Sequence, residues 1–274
     1  MVEAIRTLIG VVLLANSLWF GQRAITAGRL YRSVSTSEDG SPSTLVDGEK
    51  VAIEGTVNVK DPAPRSDSLS TDEGESVGAY VWRLKESESS NYNLDAEEPG
   101  ADMNMITYAS GIESGTFTVD DGQREVRIDT DWLTEAHDSA DITTVSTDWT
   151  VSTRQSRRSW SSPYIQLEEH WTVNPDPIVE YVFDADAAEE IPDDEYFEAR
   201  AVLDGEILAV RGEVSVERGT PVLQGSDEEP LVLSDRGFDE FRRSLRYRIL
   251  KCGLVASGFG FVASLALANG LGVV

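Results

Sequence analysis

The chain has 274 residues, with 23 Lys+Arg against 49 Asp+Glu, a formal net charge of −26. Hydrophobic residues make up 40% and there is a single cysteine, which excludes a collagen, a disulfide framework and a fully disordered chain. Nonspecific nucleic-acid binding is excluded too, because neutralising phosphates needs a basic surface.

The charge is unevenly placed. Residues 33–241 hold 14 Lys+Arg against 48 Asp+Glu, a balance of −34, while both flanks are basic; only four of the 23 cations are lysine. An acidic, lysine-poor surface fits a protein working in molar salt, where the Debye length is about 3 Å and self-repulsion is screened.

At the N-terminus, 16 uncharged residues (TLIGVVLLANSLWFGQ) separate Arg6 from Arg23, roughly 24 Å of helix at 1.5 Å per residue. A bilayer core is about 30 Å thick. Snorkelling of Arg6 and Arg23 and continuation through AITAG make this a short transmembrane helix over residues 1–30, with Trp19 and Tyr31 as interface markers. A cleavable signal peptide is disfavoured, because the pairs Gln22/Ala24 and Ile25/Ala27 fail the small-residue rule. Ser17 and Gly21 form a small-residue row suited to close helix packing. Asn16 lies mid-span, where an unpaired amide is costly, so it is expected to face the other helix or a second copy.

Residues 31–48 read as a polar Ser/Gly/Pro-rich linker, and residues 49–234 as a β-rich domain. Lys50–Val59 alternates, with Val51, Ile53, Val57 and Val59 on one side; Gly55 interrupts as a bulge or a close backbone approach. Val77–Lys85 is a strand with aromatic weight, and residues 86–101 are acidic and loose. Phe117–Val119 and Glu125–Ile128 flank Asp121-Gly122, a tight-hairpin signal. Residues 142–153 and 163–173 are rich in β-branched and aromatic residues and read as strands. Residues 184–199 are acidic, with room for a short helix. Ile207–Val216, a Gly219-Thr220-Pro221 turn, and short strands at Val222-Leu223 and Leu231–Leu233 complete the set. The expected fold is mainly β, a barrel or sandwich between two membrane helices, without internal repeats.

Ser234 or Asp235 is expected to cap a helix over residues 235–274. Phe238, Phe241 and Leu245 share one face of it. No breaker separates that helix from the 23 uncharged residues Cys252–Val274, roughly 34 Å, enough to span. Ala256, Gly260 and Ser264 make a second small-residue row, consistent with helix pairing or a homo-oligomer. Arg23, Arg29 and Arg32 follow the first span; Arg242, Arg243, Arg246, Arg248 and Lys251 precede the second. The positive-inside rule therefore places the middle domain in the cytoplasm of a two-span cell-membrane protein, and these cations meet anionic headgroups.

Chemistry-bearing residues are few. Cys252 cannot form an internal disulfide or a Cys-rich metal site. His137 lies in an acidic loop; His170 lies in a strand beside Glu168 and Glu169, of which only Glu168 shares its face, too few ligands for a metal. Asp184/Asp186 and Asp193/Asp194 offer at most a weak cation site, and Arg154, Arg157 and Arg158 before Trp160 a basic patch for headgroups or an acidic partner. No nucleophile elbow, zincin, P-loop or Rossmann fingerprint occurs. No catalytic, cofactor-binding or metal-binding residue is assigned, and no cofactor is expected.

The order of parts resembles the GIDE domain, also called BAM for "beside a membrane", of the MULAN-type RING E3 ubiquitin ligases. The resemblance covers roughly residues 4–270 and rests on Ile53-Glu54-Gly55, Gly212-Glu213-Val214, and Leu233-Ser234 followed by Phe238-Asp239 leading into the last span. It implies a membrane-side domain that recognises substrates and partners. A RING needs eight Cys/His ligands and this chain has one Cys and two His, so no active-site residue carries over. The expected function is a membrane-anchored, non-catalytic interaction domain with an unknown membrane-associated protein partner. The rival expectations are a component of ubiquitin-like transfer acting with a separate E2-binding partner, and an extracytoplasmic sensor or envelope protein.

Overall fold

A computed structural model gives the architecture. It describes residues 2–36, 45–64, 66, 75–87, 105–137, 164–167, 170–173, 195–217 and 219–270. Two units emerge. One joins residues 1–38 to residues 238–274; the other is residues 39–237.

The helical unit contains α1 (Val2–Thr36) and most of α3 (Gly237–Gly270). Helix α1 runs through Tyr31 to Thr36, past the point where the linker was expected to start. LYRSVST contains neither Gly nor Pro, so nothing in it stops the hydrogen-bond ladder.

The other unit is mainly β and is built around a five-stranded barrel. Its strands are β1 (Lys50–Asp61), β4 (Thr116–Asp120), β5 (Glu125–Ile128), β9 (Ile207–Glu217) and β10 (Thr220–Gln224). They close in the order β1-β4-β5-β10-β9-β1; β5 and β10 run parallel and every other seam is antiparallel. This is the Greek-key barrel order of the OB type.

Strand β1 closes the barrel by changing partners along its length. Lys50–Thr56 pairs with β9 and Thr56–Asp61 with β4. Gly55 sits at the changeover, where a Cβ would come 2.1 Å from the Asp120 carbonyl oxygen. The glycine in VAIEGTV is a close backbone approach that no side chain fits. A hairpin forms at Asp121-Gly122, but its turn centres one residue later than the dipeptide suggests: the Asp121 N–H donates to the Arg124 carbonyl oxygen, Gly122 has φ +84°, and Asp121 Oδ1 accepts the N–H groups of Gln123 and Arg124.

A second, four-stranded antiparallel sheet has the order β3-β2-β8-β7, from β2 (Val77–Ser87), β3 (Met105–Ser114), β7 (His170–Val173) and β8 (Glu195–Leu203). Ala79, Val81, Ile112 and Val202 of this sheet share one buried cluster with Phe117, Val119 and Leu223 of the barrel. The short helix α2 (Asp131–Ala136) adds Leu133 to the same cluster.

Several sequence expectations change. Residues 163–173 form two strands in different sheets: β6 (Ile165–Gln166) lies parallel to β11 (Val232–Ser234) beside the barrel, and β7 lies beside β8. Glu195–Leu203 is a strand where an acidic loop or short helix was expected; pairing with β2 sets Arg83 across from Glu198, where the two form an ion pair. Ser234 does not cap α3 from the N-cap position. Its backbone belongs to the ladder with Ala209 of β9, its Oγ accepts the Arg236 N–H, and α3 starts at Gly237. The strand expected at 142–153 lies outside the described residues.

Candidate functional site

Alanine, leucine and valine are good or tolerable helix formers, and lipid would leave both long helices no partner for their backbone groups except themselves. Both are long and apolar enough to cross a membrane, and only 6% of the most apolar window of either is buried within the protein. Leu8, Leu14, Leu18, Leu254, Phe261 and Leu265 are 41–68% exposed. A core helix of a water-soluble domain buries such a face. This pair instead presents an apolar exterior that suits hydrocarbon.

The two helices pack antiparallel. Gly10 fits against Leu267, where a Cβ would come 2.7 Å from Cγ. The Ser17 hydroxyl donates to the Ala256 carbonyl oxygen at 2.8 Å, and Phe20 stacks on Phe259 with ring centroids 5.9 Å apart. Farther along, Arg246 donates from Nε and Nη2 to the Tyr31 hydroxyl oxygen, at 2.8 and 2.5 Å.

The small-residue rows contribute selectively. Ser17 and Gly260 touch, since a Cβ on Gly260 would lie 3.1 Å from Ser17 Oγ, but a Cβ on Gly21 would meet nothing within 4 Å. Ser264 donates within its own helix, to the Gly260 carbonyl oxygen. Asn16 also turns inward on its own helix, its Nδ2–H donating to the Val12 carbonyl oxygen at 2.8 Å rather than reaching across. That i−4 bond satisfies part of the amide without a second helix.

The antiparallel register has an electrostatic consequence. Since Tyr31 meets Arg246, the cations Arg23, Arg29 and Arg32 of α1 fall at the level of Arg242–Lys251 of α3. Two clusters about 210 residues apart in sequence form one band at one end of the uncharged segments. Arg23 stacks over the Trp19 ring at 3.9 Å, and Arg242 pairs with Asp239 at 2.9 Å. Arg29, Arg32, Arg243, Arg246 and Lys251 are exposed.

Among the described residues, several ion pairs of the β unit are buried or nearly so. Arg211 and Glu229 are in contact, each 4% exposed, and the Lys50 ammonium reaches the other Glu229 oxygen at 2.7 Å. Burial pushes the Arg211 guanidinium below its ordinary value and Glu229 works against that; the hydrogen bond to Glu229 raises Lys50. In the second sheet Arg83 pairs with Glu198, and Arg200 donates to the Leu167 carbonyl oxygen at 3.2 Å. Burial, then the Arg83 charge, lowers Arg200. Arg83–Glu198 joins β2 to β8, and Lys50 and Arg211 join β1 and β9 to Glu229 in the connection after β10; each buried charge has a partner to offset its desolvation.

The other sequence candidates stay apart. His137 ends α2, its N–H donating to the Leu133 carbonyl oxygen, while His170 opens β7 in the second sheet. Glu168, Glu169, the Asp184–Asp194 carboxylates and the Arg154–Trp160 patch lie outside the described residues. Among the described residues no three His, Cys, Asp or Glu side chains gather as metal ligands. Cys252 is buried. No protein-family model, curated protein or solved structure matches the chain.

Proposed function

We propose that the chain is a membrane-anchored, non-catalytic interaction module: two spanning helices hold an acidic β domain at the cytoplasmic surface, where it recognises a membrane-associated protein. The observation that carries this reading is the cationic band at one end of an apolar-surfaced helix pair. Cations retained on one side of two spans set orientation, and there they meet anionic headgroups. The resemblance to the GIDE/BAM domain of RING-type E3 ligases supports a recognition role. The acidic, lysine-poor composition supports work at high salt.

Orientation is tested with a reporter fused after Val274. Activity only outside the cytoplasm supports a cytoplasmic β domain; activity only inside overturns it and favours an extracytoplasmic sensor. Crosslinking from native membranes at high salt then identifies the partner. Ubiquitin-like transfer by the purified chain, without an added RING subunit, would defeat the non-catalytic reading.

A further inference from the structure

An open groove of about 670 Å³ runs along the helix pair beside the line of contact. It extends over the stretch Ser17–Arg29 of α1 and is completed by Ala256, Ser257 and Gly260 of α3. The twelve helical steps from Ser17 to Arg29 make it about 18 Å long. Two stripes run side by side along α1: Leu18, Gly21 and Ile25 are apolar, and Gln22, Thr26 and Arg29 share the neighbouring face at i, i+4 and i+7. Ser17 and Ser257 add hydroxyls at the end toward the middle of the uncharged segments, and Arg29 stands at the end nearest the cationic band. Arg29 is exposed and makes no ion pair among the described residues.

We propose that this groove binds one anionic phospholipid, with an acyl chain along Leu18, Gly21 and Ile25 and the phosphate at Arg29. The inference rests on the reading that both helices span a membrane. An apolar stripe beside two hydrogen-bonding side chains, with a guanidinium at one end that makes no ion pair among the described residues, matches a molecule with a hydrocarbon tail and an anionic head. A third helix apolar along its length would leave Arg29 without a counter-charge. A second copy in the same bilayer orientation would bring its own Arg29 and cationic band to the same level, cation against cation.

The full chain is reconstituted with equal amounts of phosphatidylglycerol and phosphatidylcholine, extracted gently, and its retained lipid read by native mass spectrometry. The expected result is one phosphatidylglycerol per chain, favoured about fivefold over phosphatidylcholine, the worth of one cation at a membrane surface. Arg29→Gln removes the preference. Gly21→Leu removes retention, since its side chain enters open space in the groove and leaves the helix contact intact. Lys60→Gln, which removes an exposed cation of the β unit, leaves retention unchanged. Equal retention of both lipids by the wild-type chain overturns the proposal, as does retention unaffected by both groove variants. Disulfide-linked dimers of a Gly21→Cys, Cys252→Ala chain in membranes overturn it in favour of a second copy. A chain that stays in the supernatant without detergent sinks the spanning reading itself, an outcome distinct from sedimenting normally and retaining no anionic lipid.

Discussion

In the β unit, Phe117, Val119, Val126, Val210 and Leu223 are fully enclosed, whereas Leu18, Leu254 and Phe261 of the long helices are about two-thirds exposed. The charges divide the opposite way: the segment 33–241 balances at −34, and the helical flanks are basic. Each unit is organised against a different solvent. In water the apolar side chains must find one another, and the barrel with its flanking sheet supplies that interior. In hydrocarbon the exterior needs no burial, and helix pairing depends on close backbone approach and a few hydrogen bonds. The same substitution should therefore have very different consequences in the two units.

Phenylalanine truncation makes the sharpest contrast. Phe117→Ala should destabilise the β unit by about 3–5 kcal/mol, a large share of a typical domain's stability. Urea unfolding followed by tryptophan fluorescence measures the loss, and membrane sedimentation of the chain should be unchanged. Phe261→Ala should leave the unfolding curve in place and cost only about 0.5 kcal/mol of insertion free energy. Equal effects at the two positions would break the division into an aqueous and a lipid-solvated unit.

Buried charge gives the next effect. Arg211→Met leaves Glu229 enclosed but still paired with Lys50, so the loss should fall at the low end of the range for a broken buried pair, about 3 kcal/mol. Replacing Arg211 and Glu229 together with methionine should recover most of that, because neither charge then needs solvating. The same double-mutant cycle in urea reads both values. A double variant no better than the single would show that the pair contributes more than its desolvation removes.

How far these features were visible in the sequence differs by element. β1, the Asp121-Gly122 hairpin and β9 were legible because period-2 alternation and turn chemistry are local. The two apolar helices were legible from length and composition. β3 was not: Ile106-Thr107-Tyr108 has strand-forming residues, but Ala109-Ser110-Gly111 interrupts them, and the register with Trp82–Leu84 carries the strand across that gap. β8 was hidden by Glu195, Glu198 and Arg200, whose charges read as loop until Arg83 is placed across from Glu198. Residues 163–173 look continuous, yet two different sheets claim the two ends. The cationic band was legible as two clusters, but their common level needed the Tyr31–Arg246 contact. The groove was invisible, because Gly21 in sequence looks like packing surface.

In the helix pair, Ser17→Ala removes the hydroxyl that donates to the Ala256 carbonyl oxygen. Hydrogen bonds between membrane helices contribute about 0.6 kcal/mol on average, up to about 1.7. Disulfide formation in a Gly10→Cys, Leu267→Cys chain, with Cys252→Ala removing the native thiol, reports the pairing. S17A should slow it modestly, without moving the urea curve of the β unit. A shift in that curve would mean the two units do not respond to different solvents.

The smallest effect belongs to the surface of the β unit. Lys60 Nζ lies 2.7 Å from Glu125 Oε1, and the Thr118 hydroxyl donates to the same oxygen at 2.6 Å. The Lys60 hydrogen bond, then that from Thr118, holds the Glu125 carboxyl below the usual carboxylate value. Its folded value is therefore depressed relative to the unfolded chain. The pair's contribution is present above the unfolded value, about 4.3, and disappears as pH falls through the folded one. The urea midpoints of wild type and Glu125→Gln should differ by a constant small amount above pH ~5 and converge as pH falls through the depressed folded value. Because the carboxylate is exposed, that difference should shrink when salt is raised to about 1 M, where the Debye length is about 3 Å. The Phe117→Ala loss, which involves no charge, should survive the same salt. A midpoint difference unchanged down to pH 3 would show that the native-state pairing of Glu125 adds nothing to stability.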